Sequence, residues 1–268
     1  MLLVEQMCYI DLNSSGHAGS LESRGAAVLK SANRADSNSA VRKDLWVRVP
    51  PAAPIPEPLE IECVAVPSDV TACADLRKAF DAYAYLLGIY LGDGYLIQAP
   101  RNVWRLRISQ DKKYPAIVER IEWAIERVSC KRPGRLSRPG CFEIYTNWKH
   151  WRCLFPQHQM GPKHLRPIKL EHWQQAVVAA HASEFVRGLI HSDGCRALNR
   201  VVRSWADKTR TYEYTRYFFS NTSADIREIF IAACALLDVE AIHNNRVSVS
   251  VARAASVAVL ESIIGPKR

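Results

Sequence analysis

Two acids stand in the same local setting 100 residues apart. Asp93 closes the run Tyr85-Leu86-Leu87-Gly88-Ile89-Tyr90-Leu91-Gly92-Asp93-Gly94, and Asp193 closes Phe185-Val186-Arg187-Gly188-Leu189-Ile190-His191-Ser192-Asp193-Gly194. Each run reads as an amphipathic helix that stops at Asp-Gly, with Gly94 and Gly194 expected in the left-handed turn that follows a helix. A carboxylate there meets the negative end of the helix dipole. If the two helices pack side by side the acids also meet each other, and at ~4 Å and an effective dielectric of ~20 they repel by about 4 kcal/mol. A divalent cation held between them converts that repulsion into attraction, and Mg²⁺ or Mn²⁺ suits such oxygen ligands. A single acid in this position is more often a solvated helix end; the paired occurrence favours ligation.

The glycines five residues earlier, Gly88 and Gly188, fall inside the helices, where each costs ~1 kcal/mol against alanine. Their recurrence points to a contact that needs no side chain, two helix backbones in close approach. Self-similarity at this offset implies two related half-domains. Each helix is followed by the makings of a hairpin, a helix and a further strand. After Gly94 come Tyr95-Leu96-Ile97 and Trp104-Arg105-Leu106-Arg107-Ile108, then a helix opened by Pro115 and running through Val128, a basic turn with Lys131, Arg132, Arg135 and Arg138, the strand Cys141 to Tyr145, and a short helix around Trp148 to Phe155. The second half repeats this order: Arg216 to Ser220 matches Arg105 to Ser109, the helix Ser223 to Leu237 matches Tyr114 to Val128, and Val247 to Val251 matches Cys141 to Tyr145. Gly161-Pro162-Lys163 returns as Gly265-Pro266-Lys267. A helix over Leu170 to Ala180 joins the halves, and the first signature helix is expected over Asp75 to Leu91.

Both decamers resemble the signature of the LAGLIDADG homing endonucleases, in the single-chain, two-repeat form. The resemblance covers residues 75 to 268. It implies an α+β fold of two pseudo-symmetric αββαββα repeats, packed through the paired signature helices, with antiparallel sheets forming a DNA-binding saddle. The domain boundaries become a tail and proline-rich linker over 1–65, a first repeat over 66–165, and a linker helix with the second repeat over 166–268. The implied activity is divalent-metal-dependent, site-specific double-strand DNA cleavage of the kind that serves intron homing. The implied metal ligands are Asp93 and Asp193 with Gly92 and Ser192, and the helix interface falls at Gly88 and Gly188. The family's other, non-ligating acid position is occupied by Leu91 and His191. A basic residue just past the last strand of each half serves the nucleophilic water in this family; by position these are Lys149 and Arg253, and contact with phosphate or plain surface charge accounts for them equally well. The same resemblance leaves room for a cleavage-inactive DNA-binding regulator or an RNA intron maturase.

The chemistry and the composition agree. Phosphodiester hydrolysis needs a polarised phosphoryl oxygen, an activated water and a stabilised leaving oxygen, which clustered carboxylates with Mg²⁺ provide. No Ser-His-Asp or Cys-His set competes for the role. The formal net charge is +9, and residues 1–65 carry six Lys/Arg against eight Asp/Glu, so the remainder carries +11. A basic globular part points to a polyanion, here double-stranded DNA. Arg105, Arg107, Arg196, Arg200, Arg203 and Arg216 are the candidate DNA contacts from the sheets; arginine suits guanine edges and phosphates alike. The tryptophans Trp104, Trp123, Trp148, Trp151 and Trp173 are assigned to the core.

No apolar run approaches the ~20 residues of a membrane span. The eight cysteines form no CxxC pair, which favours reduced, mostly buried thiols in a cytoplasmic protein, and the single-chain, two-repeat resemblance implies a monomer. His150, Cys153, His158 and His164 lie close in sequence, yet their spacing matches no closed zinc pattern. The stretch Val41 to Pro51 resembles a transfer-RNA gene arm read as protein, which raises the expectation of a start codon further downstream. The end lacks the His-Asn pair that protein splicing uses.

Overall fold

A computed structural model describes residues 76–205 and 208–264. The expected tail and linker over 1–65 lie outside the described residues, as does the second Gly-Pro-Lys. The described residues open with a 3-10 turn, Leu76–Ala79, and then alternate as follows. The first half is α1 (Phe80–Asp93), β1 (Gly94–Ala99), β2 (Val103–Asp111), α2 (Pro115–Ser129), β3 (Gly134–Ser137), β4 (Cys141–Trp148) and α3 (Trp151–Leu154). A connecting helix α4 (His172–Ala180) follows. The second half is α5 (Ala182–Asp193), β5 (Gly194–Trp205), β6 (Lys208–Ser220), α6 (Ala224–Ala235), β7 (Ile242–Asn245), β8 (Ser248–Val251) and α7 (Ala254–Ile264). Both halves are therefore αββαββα. Their antiparallel sheets have matching orders, β1-β2-β4-β3 and β5-β6-β8-β7.

Expected and observed elements differ where local signals were weak. The first signature helix is α-helical only from Phe80, and it runs on to Asp93. The basic stretch expected as a turn forms β3, a four-residue edge strand paired with β4 alone; β7 is its counterpart on β8. Neither shows the apolar alternation that marks a half-buried strand, because an edge strand is held chiefly by its backbone bonds.

The helix α1 is not amphipathic. Every residue from Ala82 to Leu91 is buried, because α5 covers one side while its own sheet, α2 and α4 cover the rest, and a helix apolar all round is the form such a position requires. Two of its tyrosines find partners for their polar tips: the Tyr83 hydroxyl donates to the Leu154 carbonyl at 2.7 Å and accepts from Gln174, and the Tyr85 hydroxyl shares a hydrogen bond with His191. The helix α5 keeps a half-buried side, where Glu184 binds Arg187 and also Arg120 of α2, an ion pair that crosses between the halves. Trp148, Trp151 and Trp173 are core residues. Trp123 is 39% exposed instead, with the Arg120 guanidinium 4.4 Å over its ring. Of the described cysteines only Cys234 is buried; Cys130 is exposed at a left-handed helix end.

Candidate metal centre and nucleic-acid face

The two signature helices meet backbone to backbone. A Cβ on Gly88 would lie 2.5 Å from the Phe185 carbonyl oxygen and 2.8 Å from the Leu189 nitrogen. One on Gly188 would strike the Tyr85 carbonyl oxygen and come within 3.1 Å of Gly88 Cα. A turn later the contact persists: a Cβ on Gly92 would overlap Ser192 and stand 2.9 Å from the Asp193 Oδ2. The helices thus run together to their C-terminal ends, and the acids are carried there as a pair. Gly94 and Gly194 are not in the left-handed region. Both are extended, with φ of −94° and −100°, so that each helix passes directly into a strand. Glycine is required there for space, since a Cβ would lie 2.7 Å from Tyr90 Cα or 2.6 Å from Ile190 Cα.

Three residues around the acids escape a reading of the sequence. Asn221 donates from Nδ2 to the Asp193 carboxylate at 2.5 Å, while its own Oδ1 accepts from the Ser223 amide at 2.8 Å. Its counterpart by register is Gln110. Gly94 pairs with Ile108 and Gly194 with Phe219, and Gln110 and Asn221 each lie two residues further on. Gln110 is 4% exposed and its Oε1 is buried without a hydrogen-bond partner.

The third is Lys163, from a 3-10 turn in the link between the halves. Its ammonium donates to the carbonyl of Tyr90, to those of Leu91 at 3.0 Å, Gly92 at 3.3 Å and Gly94 at 2.6 Å, and lies 4.8 Å over the Tyr90 ring. Burial pulls its pKa down to about 8, while Asp193 and Asp93 pull the other way. It is therefore still a cation at pH 7. The recurrence of Gly-Pro-Lys was the only sequence signal for it.

These oxygens fit a divalent ion. A cation already rests against the Gly92 carbonyl within the field of both acids, and the donors are the hard oxygens that Mg²⁺ and Mn²⁺ take. The orphaned Gln110 oxygen adds a further acceptor in register with the site. Ser192 uses its hydroxyl internally, donating to the Leu189 carbonyl at 2.9 Å. His191 is 8% exposed and shares a hydrogen bond of 3.0 Å with the Tyr85 hydroxyl across the helix pair, which explains how the interface tolerates it.

The two basic residues expected beside the water lie elsewhere. Lys149 follows Trp148, which is level with Trp104, whereas Gly94 is level with Ile108. Four residue rows separate them, about 14 Å along the strand at ~3.4 Å per residue. Arg253 lies two residues past Val251, itself level with Tyr217 and not with the Phe219 row of Gly194. It binds Glu240 at 2.5 Å, an exposed pair worth little.

The arginines divide by strand parity. In the first sheet Leu106, Ile108 and Ile144 face the helices, so Arg105 and Arg107 occupy the open face. Arg105 donates to Asn147 at 2.8 Å and covers the Tyr145 ring; Arg107 binds Glu143. In the second sheet Tyr217 and Phe219 mark the helix side, which puts Arg216, Arg203, Arg210 and Tyr214 on the open face. Arg196 and Arg200 are on the opposite side: Arg196 binds Glu261 of α7 at 2.7 Å, and Arg200 pairs with Glu213 at 3.4 Å. Only Tyr217–Ser220 of β6 pair with β8, so the rest of β5 and β6 projects as a two-stranded ribbon.

His158 stacks edge-on against Trp104 and its Nδ1 pairs with the Phe155 carbonyl oxygen at 2.9 Å. Among the described residues no three His, Cys, Asp or Glu side chains are grouped to hold a metal, and no helix is long and apolar enough to cross a membrane.

No family model matches the chain, and no curated protein is similar to it. Among solved structures it is similar to a variant of I-DmoI in complex with its target DNA and manganese, at 16% identity and a TM-score of 0.44, over 70% of this chain and 96% of that one. It is similar to the N-terminal LAGLIDADG domain of WhiA at 11% identity and a TM-score of 0.43, over 71% and 83% of the two chains. A third similar structure, the LAGLIDADG meganuclease I-AabMI bound to uncleaved DNA, has 12% identity and a TM-score of 0.42, over 68% and 82%. Identities this low say nothing of activity.

Proposed function

We propose that the chain is a divalent-metal-dependent DNA endonuclease of the LAGLIDADG homing kind, cutting both strands of an asymmetric site as a monomer. The observation that carries this reading is the pairing of Asp93 and Asp193 at the ends of two glycine-packed helices, directly where each helix passes into its sheet. Both acids come from one chain, so no second copy is needed to complete the centre. Asp93, Asp193 and the Gly92 carbonyl would hold the ion. When bound, such an ion polarises a phosphoryl oxygen and lowers the pKa of a bound water. Asn221 fixes the Asp193 carboxylate through its hydrogen bond, and the helix backbones, too close to slide, fix the separation of the two acids.

Arg105, Arg107, Arg203 and Arg216 lie on the open faces, where phosphate or guanine would meet them. Arg203 stands directly opposite Arg210, an arrangement that is unfavourable until an anion lies between. The ribbon of β5 and β6 has the form that a B-DNA major groove admits. With DNA as substrate, the protein acts in the cytoplasm on the nucleoid or its equivalent.

The test is to incubate the protein with a library of random duplexes in Mg²⁺ or in EDTA and to sequence the ends. Ends confined to a few sites and absent in EDTA are expected. Binding without any metal-dependent ends would instead favour a regulator on the same fold, a second reading that has one observation behind it: the Lys163 ammonium, held by carbonyls at the end of α1, already offsets part of the charge of the acid pair.

A further inference from the structure

We propose that the two halves grip DNA unequally: the β5–β6 ribbon is an arm that covers about 4–6 base pairs more on its side of the site than the β1–β2 hairpin covers on the other. The inference rests on the DNA-binding reading above and concerns which duplex the protein selects. Counted from the helix ends, the first hairpin runs six residue rows, from Gly94 opposite Ile108 to Ala99 opposite Val103. The second runs twelve, from Gly194 opposite Phe219 to Trp205 opposite Lys208. The six extra rows at ~3.4 Å each add about 20 Å, the axial length of ~6 base pairs. A ribbon that follows the turning groove advances somewhat less along the axis, which sets the lower figure.

The two hairpins differ in support as well as in length. The strand β4 backs five of the six rows of β1 and β2, those from Trp104 to Ile108. The strand β8 backs only the three rows at Phe219, Phe218 and Tyr217, and leaves the nine from Ala197 opposite Arg216 outward with two strands. A free two-stranded ribbon is marginally stable in water, and none of these nine rows holds a buried residue among those described. Packing therefore does not account for the residues chosen there. Register sorts the outer six rows by face. The open face has Val201, Arg203, Trp205, Lys208, Arg210 and Tyr212, three cations and no acid. The reverse face has one cation and one acid, Arg200 and Glu213, which pair at 3.4 Å. All the net charge of these rows thus lies on the side of the open sheets, with Trp205 and Tyr212, 54% and 43% exposed, among the cations. A ribbon basic on one face suits a major groove, and the duplex supplies the cover that a third strand supplies in the first half.

The experiment selects duplexes from a random library by binding to the full chain in EDTA, so that no cleavage is required, and maps a selected duplex by hydroxyl-radical footprinting. The same duplex is then mapped with a variant lacking residues 200–205 and 208–213, which removes the six extra rows, keeps the alternation of faces and takes away no buried residue. The shortened arm is expected to lose about 4–6 base pairs of protection at one end of the footprint and none at the other. An unchanged footprint, or one that shrinks equally at both ends, overturns the unequal grip and leaves the DNA-binding reading standing. If the wild type selects and protects no duplex, that reading falls and takes this proposal with it. Should the shortened chain fail to fold, Arg203→Glu combined with Arg210→Glu decides on the same duplex: protection lost at one end is expected, and unchanged or evenly weakened protection overturns the proposal.

Discussion

Replacing Gly188 with alanine tests the helix pair on which the whole site depends. The added carbon would meet the Tyr85 carbonyl oxygen, Gly88 Cα at 3.1 Å and Ile89 nitrogen at 3.1 Å. All three are backbone atoms, so no rotamer change relieves the overlap and the helix axes must part by several tenths of an ångström or more. Overpacking of this kind costs ~1–3 kcal/mol, and its upper end applies where nothing flexible can give. Alanine returns about 1 kcal/mol through its better helix propensity. The net loss is about 2 kcal/mol, or ~4–8 °C in melting temperature for a folded unit of this size. Gly88→Ala opens the same gap from the other side, against Phe185 and Leu189, so the second substitution should cost less than the first, a non-additivity of roughly 1 kcal/mol. Thermal and urea unfolding of the two single variants and the double variant measure this. A Gly188→Ala protein as stable as the wild type, or strict additivity of the pair, would refute the close approach.

Asn221→Ala should leave folding nearly intact but lower cleavage by about 10–100-fold, the usual effect of removing a partner that orients a ligating group; steady-state cleavage at the wild-type rate would contradict it. Arg203→Ala and Arg216→Ala should each weaken DNA binding and reduce the log-log salt slope by about 1, whereas Arg196→Ala and Arg200→Ala should leave that slope unchanged, as gel-shift titrations at several salt concentrations would reveal. The stability of the metal-free protein should rise with pH from about 8, where Lys163 titrates when folded, toward its ordinary value of 10.5. In that window the unfolded chain binds the extra proton, so the sign is positive, and the gain is at most about 3 kcal/mol. Above pH 10 it should fall again, because burial raises the pKa of Tyr83, Tyr85 and Tyr90 and the unfolded chain loses those protons first. Flat urea midpoints between pH 8 and 10 would show that the four carbonyls hold Lys163 charged.

The duplicated architecture was legible because it is written in long-range repetition: two glycines, two acids and two runs of elements in the same order. What periodicity could not supply was three-dimensional neighbourhood. Lys163 reaches its carbonyls across 69 to 73 residues, and nothing local distinguishes it from Lys149, which sits at the right place in the element order and the wrong end of the sheet. Arg196 and Arg200 were grouped with Arg203 as one surface, although alternation along β5 puts even and odd positions on opposite faces. The reason for glycine at 94 and 194 was misassigned for a related cause. A helix followed by glycine suggests a left-handed turn, whereas here the chain passes straight into a strand and the missing side chain makes room for the preceding helical turn. The strands β3 and β7, lacking a buried face of their own, left no pattern to read.

The most direct measurement compares cleavage and binding in Asp93→Asn and Asp193→Asn. Asparagine keeps the shape and removes the charge on which a divalent ion depends, so each variant should lose metal-dependent cleavage of the selected duplex by at least about a hundredfold. Because Lys163 already offsets the repulsion between the acids, stability should change by no more than about 1 kcal/mol. DNA affinity in EDTA should hold or rise, since a negative charge facing phosphate has gone. Lost cleavage with retained folding and retained binding is the result this account predicts; cleavage by both variants at the wild-type rate would contradict it.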